Sequence, residues 1–144
     1  MELYKVARIP PIIAPADMSI TEVAQLMGQQ QAHAVLIVDR QMKVEGIFTE
    51  RDLVNRVVAR RLNPDRTQLR DVMTEAVETV RAETSVDEAL DIMVRNRFRH
   101  LPIVDSEEKV IGIASMSHLL MRQNASAKAD VETLAAYVTA GGPG

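Results

Sequence analysis

The chain is written twice. Ser19-Ile20-Thr21-Glu22 returns as Ser85-Val86-Asp87-Glu88 at an offset of 66 residues. The same offset relates Ile37-Val38-Asp39 to Ile103-Val104-Asp105, Lys43-Val44 to Lys109-Val110, and Gly46-Ile47 to Gly112-Ile113, with no gap from position 19 to position 54. Self-similarity at a fixed period signals one supersecondary unit repeated, each copy needing the other to bury its apolar face. Two equivalent half-domains follow. With 144 residues the chain is about one ordinary domain, long enough to bury about two thirds of its unfolded surface without disulfide or metal.

Each half carries the same string of signals. Ser19 and Ser85 are N-cap candidates with acidic residues in the turn that follows. Behind them Val23, Leu26 and Met27, and in the second copy Val86, Ala89, Leu90 and Met93, fall at helical spacing. The apolar runs 35–38 and 101–104 have strand length and end in turn residues at Asp39-Arg40-Gln41 and Asp105-Ser106-Glu107-Glu108. Second hairpin strands are expected over 44–48 and 110–114, and helices over 51–61 and 117–123. A short extended stretch precedes each first helix, at 11–13 and 77–79, so the order per repeat is β-α-β-β-α. The halves are expected at 7–62 and 73–122, with the turn-rich connector 63–72 between them. A last helix over 126–140, capped by Asp130 and stopped by Gly141-Gly142, carries Val131, Leu134, Ala135 and Val138 on one face. That face packs on its own chain or on a partner subunit, and the sequence leaves both open.

Composition narrows the function. There is no cysteine, which excludes a disulfide framework, a thiol nucleophile and a thiolate zinc site. No apolar run approaches the roughly 20 residues of a membrane span, and the start lacks a signal-peptide core, so a soluble cytoplasmic protein is expected. Net charge is −3 from 17 basic and 20 acidic residues that are interspersed, and aromatics are only 3%, which argues against nucleic acid as a partner. The basic cluster from Arg56 to Arg61 reads as a solvated helix face before it reads as a phosphate patch.

The paired repeats show an apolar strand ending in Asp, then Gly-hydrophobic-x-Thr/Ser-x-x-Asp opening a helix, with Asp71-Val72-Met73-Thr74 leading into the second copy. As a set these resemble tandem CBS domains, the cystathionine β-synthase type repeat, paired as a stand-alone Bateman module over roughly residues 7 to 122. The resemblance implies an α/β (α+β) fold of two pseudo-symmetric repeats packed sheet to sheet. It also implies two clefts for adenosine-containing ligands such as AMP, ADP, ATP or S-adenosylmethionine, with Mg²⁺ only as the companion of a polyphosphate. Carried over residue by residue, the first cleft takes Gly46, Ile47, Thr49 and Asp52, with His33 towards the phosphates and Met73, Thr74, Val77, Glu78 and Phe98 bordering the base. The second takes Gly112, Ile113, Ser115 and His118, with Arg99, His100 and Arg51 near any phosphates and Ala7, Ile12 and Ala32 near the base.

The residue types suit such ligands on independent grounds. Gly46 allows a close approach, the Asp52 carboxylate can accept two ribose hydroxyls, and the Thr49 hydroxyl at a helix start favours phosphate. Thr49 and Asp52 are equally what a plain helix cap uses. His118 departs from the pattern, since neutral imidazole offers one acceptor and imidazolium none. Two inequivalent sites are therefore expected, one reading a nucleoside and one biased to anions or empty.

Catalysis is not expected. His33, His100 and His118 show no metal-ligand spacing, and the pair Ser115 and His118 has no orienting acid. Two functions remain: a regulatory module that senses an adenosyl ligand and passes the change to an unknown downstream protein, or a structural module with vestigial clefts that builds a dimer. A homodimer is expected under either.

Overall fold

The computed structural model describes residues 1–127, and in it both serines act as the caps that their positions suggest. Ser19 Oγ accepts the Glu22 N–H at 3.2 Å to start α1 (Ile20–Gln30), and Ser85 Oγ accepts the Glu88 N–H at 3.1 Å to start α4 (Val86–Asn96). Each helix ends on a left-handed residue, Gln31 (φ 51°) or Arg97 (φ 60°), which turns the chain into a buried strand.

That strand is the centre of a three-stranded sheet. β1 (Ile13–Ala14) runs parallel to β2 (Ala34–Val38), which pairs antiparallel with β3 (Val44–Thr49). The second half repeats this with β4 (Val80–Arg81), β5 (His100–Val104) and β6 (Val110–Ser115). Both hairpins carry a register shift at the same place, between Ile37 and Val38 and between Ile103 and Val104. Both turns are tied by an aspartate: Asp39 Oδ1 accepts from the Gln41 and Lys43 amides at 2.8 and 3.0 Å, and Asp105 Oδ1 accepts from those of Glu107 and Lys109 at 2.8 and 3.0 Å. Side-chain capture of amides two and four residues on is what makes Asp a turn residue.

The second helices depart from expectation. In the first half a single turn, α2 (Glu50–Asp52), widens into a π-helix over Leu53–Val58, short of the expected end at 61. The wider winding leaves Val54 and Val58 58% and 65% exposed. Its counterpart α5 (Met116–Ala127) is a regular helix that outlasts the expected 117–123. The extended stretches also sit later than expected, since β1 begins at Ile13 and β4 lies wholly beyond 77–79. Part of the connector folds as α3 (Leu69–Val72). Beyond its first two positions, the helix expected over 126–140 lies outside the described residues.

Packing joins the halves by exchange. One core holds Ile20, Val23, Val35, Ile37 and Phe48 of the first half, completed by Leu69 and Val72 from the segment before the second half. The other holds Val86, Met93, Leu101, Ile103 and Leu119, completed by Leu3 and Val6 from the segment before the first. Isolated bridges repeat the exchange at the offset of 66: Glu2 with Ser85 and Gln68 with Ser19, then Arg8 with Ile113 and Thr74 with Ile47. Each fully buried leucine contributes about 2 kcal/mol. A third cluster, Ala34, Leu36 and Val38 against Val110 and Ile113, lies between the two sheets.

Candidate functional site

At the first motif the chain leaves β3 and enters α2 through a reciprocal cap. Thr49 Oγ1 accepts the Asp52 N–H at 3.2 Å, and Asp52 Oδ2 accepts the Thr49 N–H at 3.0 Å. Asp52 Oδ1 lies 3.6 Å from Arg56 Nε, and Arg56 Nη1 donates to the carbonyls of Val72 and Met73 at 3.2 Å each. The cap reading of this pair is therefore real. A carboxylate has about four lone-pair positions, so the same side chain keeps acceptor capacity for ligand hydroxyls.

The close approach at Gly46 is made by the chain itself. A Cβ there would stand 2.8 Å from Met73 Sδ and 2.9 Å from the Thr74 carbonyl oxygen, which belongs to the strand bridging Ile47. Gly112 likewise faces Ile9 Cγ1 at 2.9 Å and the Arg8 carbonyl oxygen at 3.2 Å. The space that the sequence reading reserved for a ligand admits the exchanged segments. Gly46, Ile47, Thr49, Asp52, Met73 and Thr74 thus come together as one neighbourhood, with Met73 buried in the first core. Val77 is half-buried, Phe98 packs against the second core, and Glu78 accepts from Asn96 Nδ2 at 3.3 Å, contacts that lie outside the motif.

His33 sits between the two clefts, beside Glu50 and Leu53 next to the first motif and, with His100 and His118, at the other cleft. There a cavity of about 380 Å³ is lined from both halves. Ala7 and Arg8 come from the chain before β1, Ala32 and His33 from the turn between α1 and β2, and His100 from the start of β5. Ile113, Ser115 and His118 close it from the β6 to α5 junction. Ser115 Oγ accepts the His118 N–H at 3.3 Å, a cap without the return bond that Asp52 supplies in the first half. Arg51, Gly112, Arg99 and Ile12, expected here, are not in the described lining, and Ile12 packs against the first core. Arg8, missed from sequence, lines the cavity while its Nη2 donates to the Gln30 carbonyl at 2.9 Å. Extending the repeat offset from Thr74 back to position 8 points to it.

Charge in this cavity is unusual. His100 is pushed down from 6.5 to about 4, first by burial and then by the positive charges of His33 and Arg99, with Glu50 opposing them. His33 Nδ1 lies 3.1 Å from Glu50 Oε1 at the exposed rim. Among the described residues no group of three His, Cys, Asp or Glu is placed to hold a metal ion, and no helix is long and apolar enough to cross a membrane. A second depression of about 410 Å³ is apolar, running between α1 and the π-helix with Ile20, Ala24, Leu53, Val57, Val58 and Leu62 along it.

The family described as CBS domain matches the chain twice, over residues 3–59 and 69–124. The chain is 40% identical over 116 residues to an uncharacterized protein of Methanopyrus kandleri, covering 81% of this chain and 59% of that protein. It is 36% identical over 107 residues to a CBS domain-containing protein of Arabidopsis thaliana, covering 74% of this chain and 19% of that protein. It thus spans less than two thirds of the length of either relative. Among solved structures it is similar to the CBS domain pair of protein MJ0100 in complex with 5′-methylthioadenosine and S-adenosyl-L-methionine, at 26% identity and a TM-score of 0.77, covering 85% of this chain and 98% of that one.

Proposed function

The chain belongs to the CBS domain family, and from that premise we propose that it is a regulatory module whose clefts take an adenosyl ligand: AMP, ADP, ATP or S-adenosylmethionine. The observation that carries this reading is the cavity of about 380 Å³ lined from both halves. A ligand seated there touches both repeats, so its affinity depends on how they pack against each other. It shifts that packing only as far as it binds the two arrangements with different affinity. The 26% identical pair crystallised with 5′-methylthioadenosine and S-adenosyl-L-methionine supports the ligand class. In the first cleft the Asp52 carboxylate is the acceptor suited to ribose hydroxyls, and Mg²⁺ enters only with a polyphosphate. The change in packing then passes to a downstream protein.

Calorimetric titration with the four ligands, alongside Asp52→Ala, tests this. Saturable binding in protein shown to be folded is the expected result, with the substitution abolishing the part seated in the Asp52 cleft and leaving any part seated in the cavity of about 380 Å³. Absence of heat with all four ligands would overturn the reading and leave the dimer-building alternative. That second reading has its own support: Val58 and Leu62 are 65% and 38% exposed along the apolar depression, a surface suited to a second copy. Sedimentation equilibrium of wild type against Val58→Glu is expected to shift from dimer to monomer.

A further inference from the structure

Three imidazoles and a guanidinium face one cavity, and no carboxylate shares its described lining. They arrive from distant parts of the chain. His33 follows α1, His100 opens β5, His118 lies in the first turn of α5, and Arg8 precedes β1. Histidine is the side chain that changes charge between about pH 5 and 8, so the charge of this cavity is adjustable, whereas at the other motif Asp52 is matched by Arg56 at 3.6 Å. Hydroxyl donors of a nucleoside gain nothing from such adjustability. An anion does, because it offsets the mutual repulsion of neighbouring imidazolium groups and favours their charged forms.

Resting on the reading of this cavity as a ligand cleft, we propose that it seats an anionic group, phosphate in type, among His33, His100 and His118, and that these histidines take up protons as it binds. Glu50 holds Nδ1 of His33 and so leaves Nε2 for the anion. His118 stands where the first repeat has Asp52, and replaces an acceptor by a donor that doubles its N–H count on protonation. The ionisable groups acting on His100 are His33 and Arg99, which oppose its protonation, and Glu50, which favours it, while Arg8 completes the charged lining. Burial and the neighbouring cations hold His100 neutral near pH 7, since its pKa is about 4. An anion works against that depression, so affinity rises as pH falls.

Histidine-selective ¹H–¹⁵N NMR of the full chain reads each imidazole directly, without interference from protons gained by the ligand. The probes are ATP, inorganic pyrophosphate and adenosine, each at about pH 6 and about pH 7.5, where histidine charge changes. ATP and pyrophosphate are expected to move at least one of the three imidazoles towards its protonated signature, and adenosine none. Affinity for both anions is expected to be at least about fivefold higher at the lower pH, and at least about fivefold weaker in His33→Gln and in His118→Gln. Both side chains are exposed, so these variants keep the fold. Adenosine or S-adenosylmethionine binding with unchanged imidazoles and no response to pyrophosphate overturns this proposal and leaves the adenosyl reading intact. A pyrophosphate response without any adenosyl binding supports the anion cavity and removes the adenosyl reading. Silence with every probe overturns both.

Discussion

At the start of its second helix the first half places Asp52, and 66 residues later the second half places His118. Asp52 closes a reciprocal cap and pairs with Arg56, which in turn grips the carbonyls of Val72 and Met73. His118 only donates its amide to Ser115, and the helix behind it stays regular where the first half widens into a π-helix. The same offset sets His100 against Ala34. Backbone pairing is repeated down to the register shift in each hairpin, while the polar side chains that face the clefts are not. A duplicated scaffold fixed by apolar packing leaves those positions free to diverge, because none of them is needed for the cores.

The largest way to break this comparison is pH. His100 has a lower pKa in the folded chain than the ordinary 6.5, so the unfolded chain binds the extra proton between about 4 and 6.5, and stability falls as pH drops through that window. The loss is at most about 3 kcal/mol. Urea denaturation across the window should show a slope that His100→Gln flattens. An unchanged slope would remove His100 as its source.

Next come the two glycines. An added Cβ at Gly46 meets a carbonyl oxygen at 2.9 Å, whereas at Gly112 the carbonyl stands at 3.2 Å and the nearer atom is an isoleucine side-chain carbon. Gly46→Ala is expected to cost about 3 kcal/mol and Gly112→Ala about 1 kcal/mol. Equal midpoint shifts in urea would show that the two exchanged segments yield alike.

The caps give smaller effects. Asp52→Ala removes the return bond and unpairs Arg56, for about 1 kcal/mol, and Asp52→Asn should recover part of it. His118→Asp should complete the missing half of the second cap and stabilise the chain by about 0.5 kcal/mol, read as a small rise in Tm. A second adenosyl site appearing in that variant would show that one residue separates the two clefts.

Much of the fold was legible because the repeat is. Ser19, Ser85, Asp39 and Asp105 carry local chemistry that works the same way in any fold, and the unbroken apolar runs between them are buried on both faces, Val35 and Ile37 in the first core and Leu36 and Val38 between the sheets. The exchanged segments were not legible, since a short stretch such as Leu69–Val72 has no pattern of its own and is ordered by the core it enters. The π-helix leaves no periodic signature over six residues. At the site, the motif and the cavity lining share Ile113, Ser115, His118, His100, Ala7 and Ala32, whereas His33, read from sequence as part of the first cleft, lines this cavity as well because the turn after α1 lies between the halves. Arg8 was missed because the repeat was followed only where it is ungapped.

The reciprocal filling of the cores has a consequence for how such a chain could arise and be cut. Leu3 and Val6 are the stopper of the far half, and Leu69 and Val72 the stopper of the near one. One repeat expressed alone would carry its stopper with no socket to receive it and a socket with no stopper. Two such copies could complete each other, so the present chain has the architecture of a segment-swapped pair made permanent by a single covalent link. Trimming the first eight residues should therefore loosen the half that begins some sixty residues away, an effect that distance along the chain would never suggest.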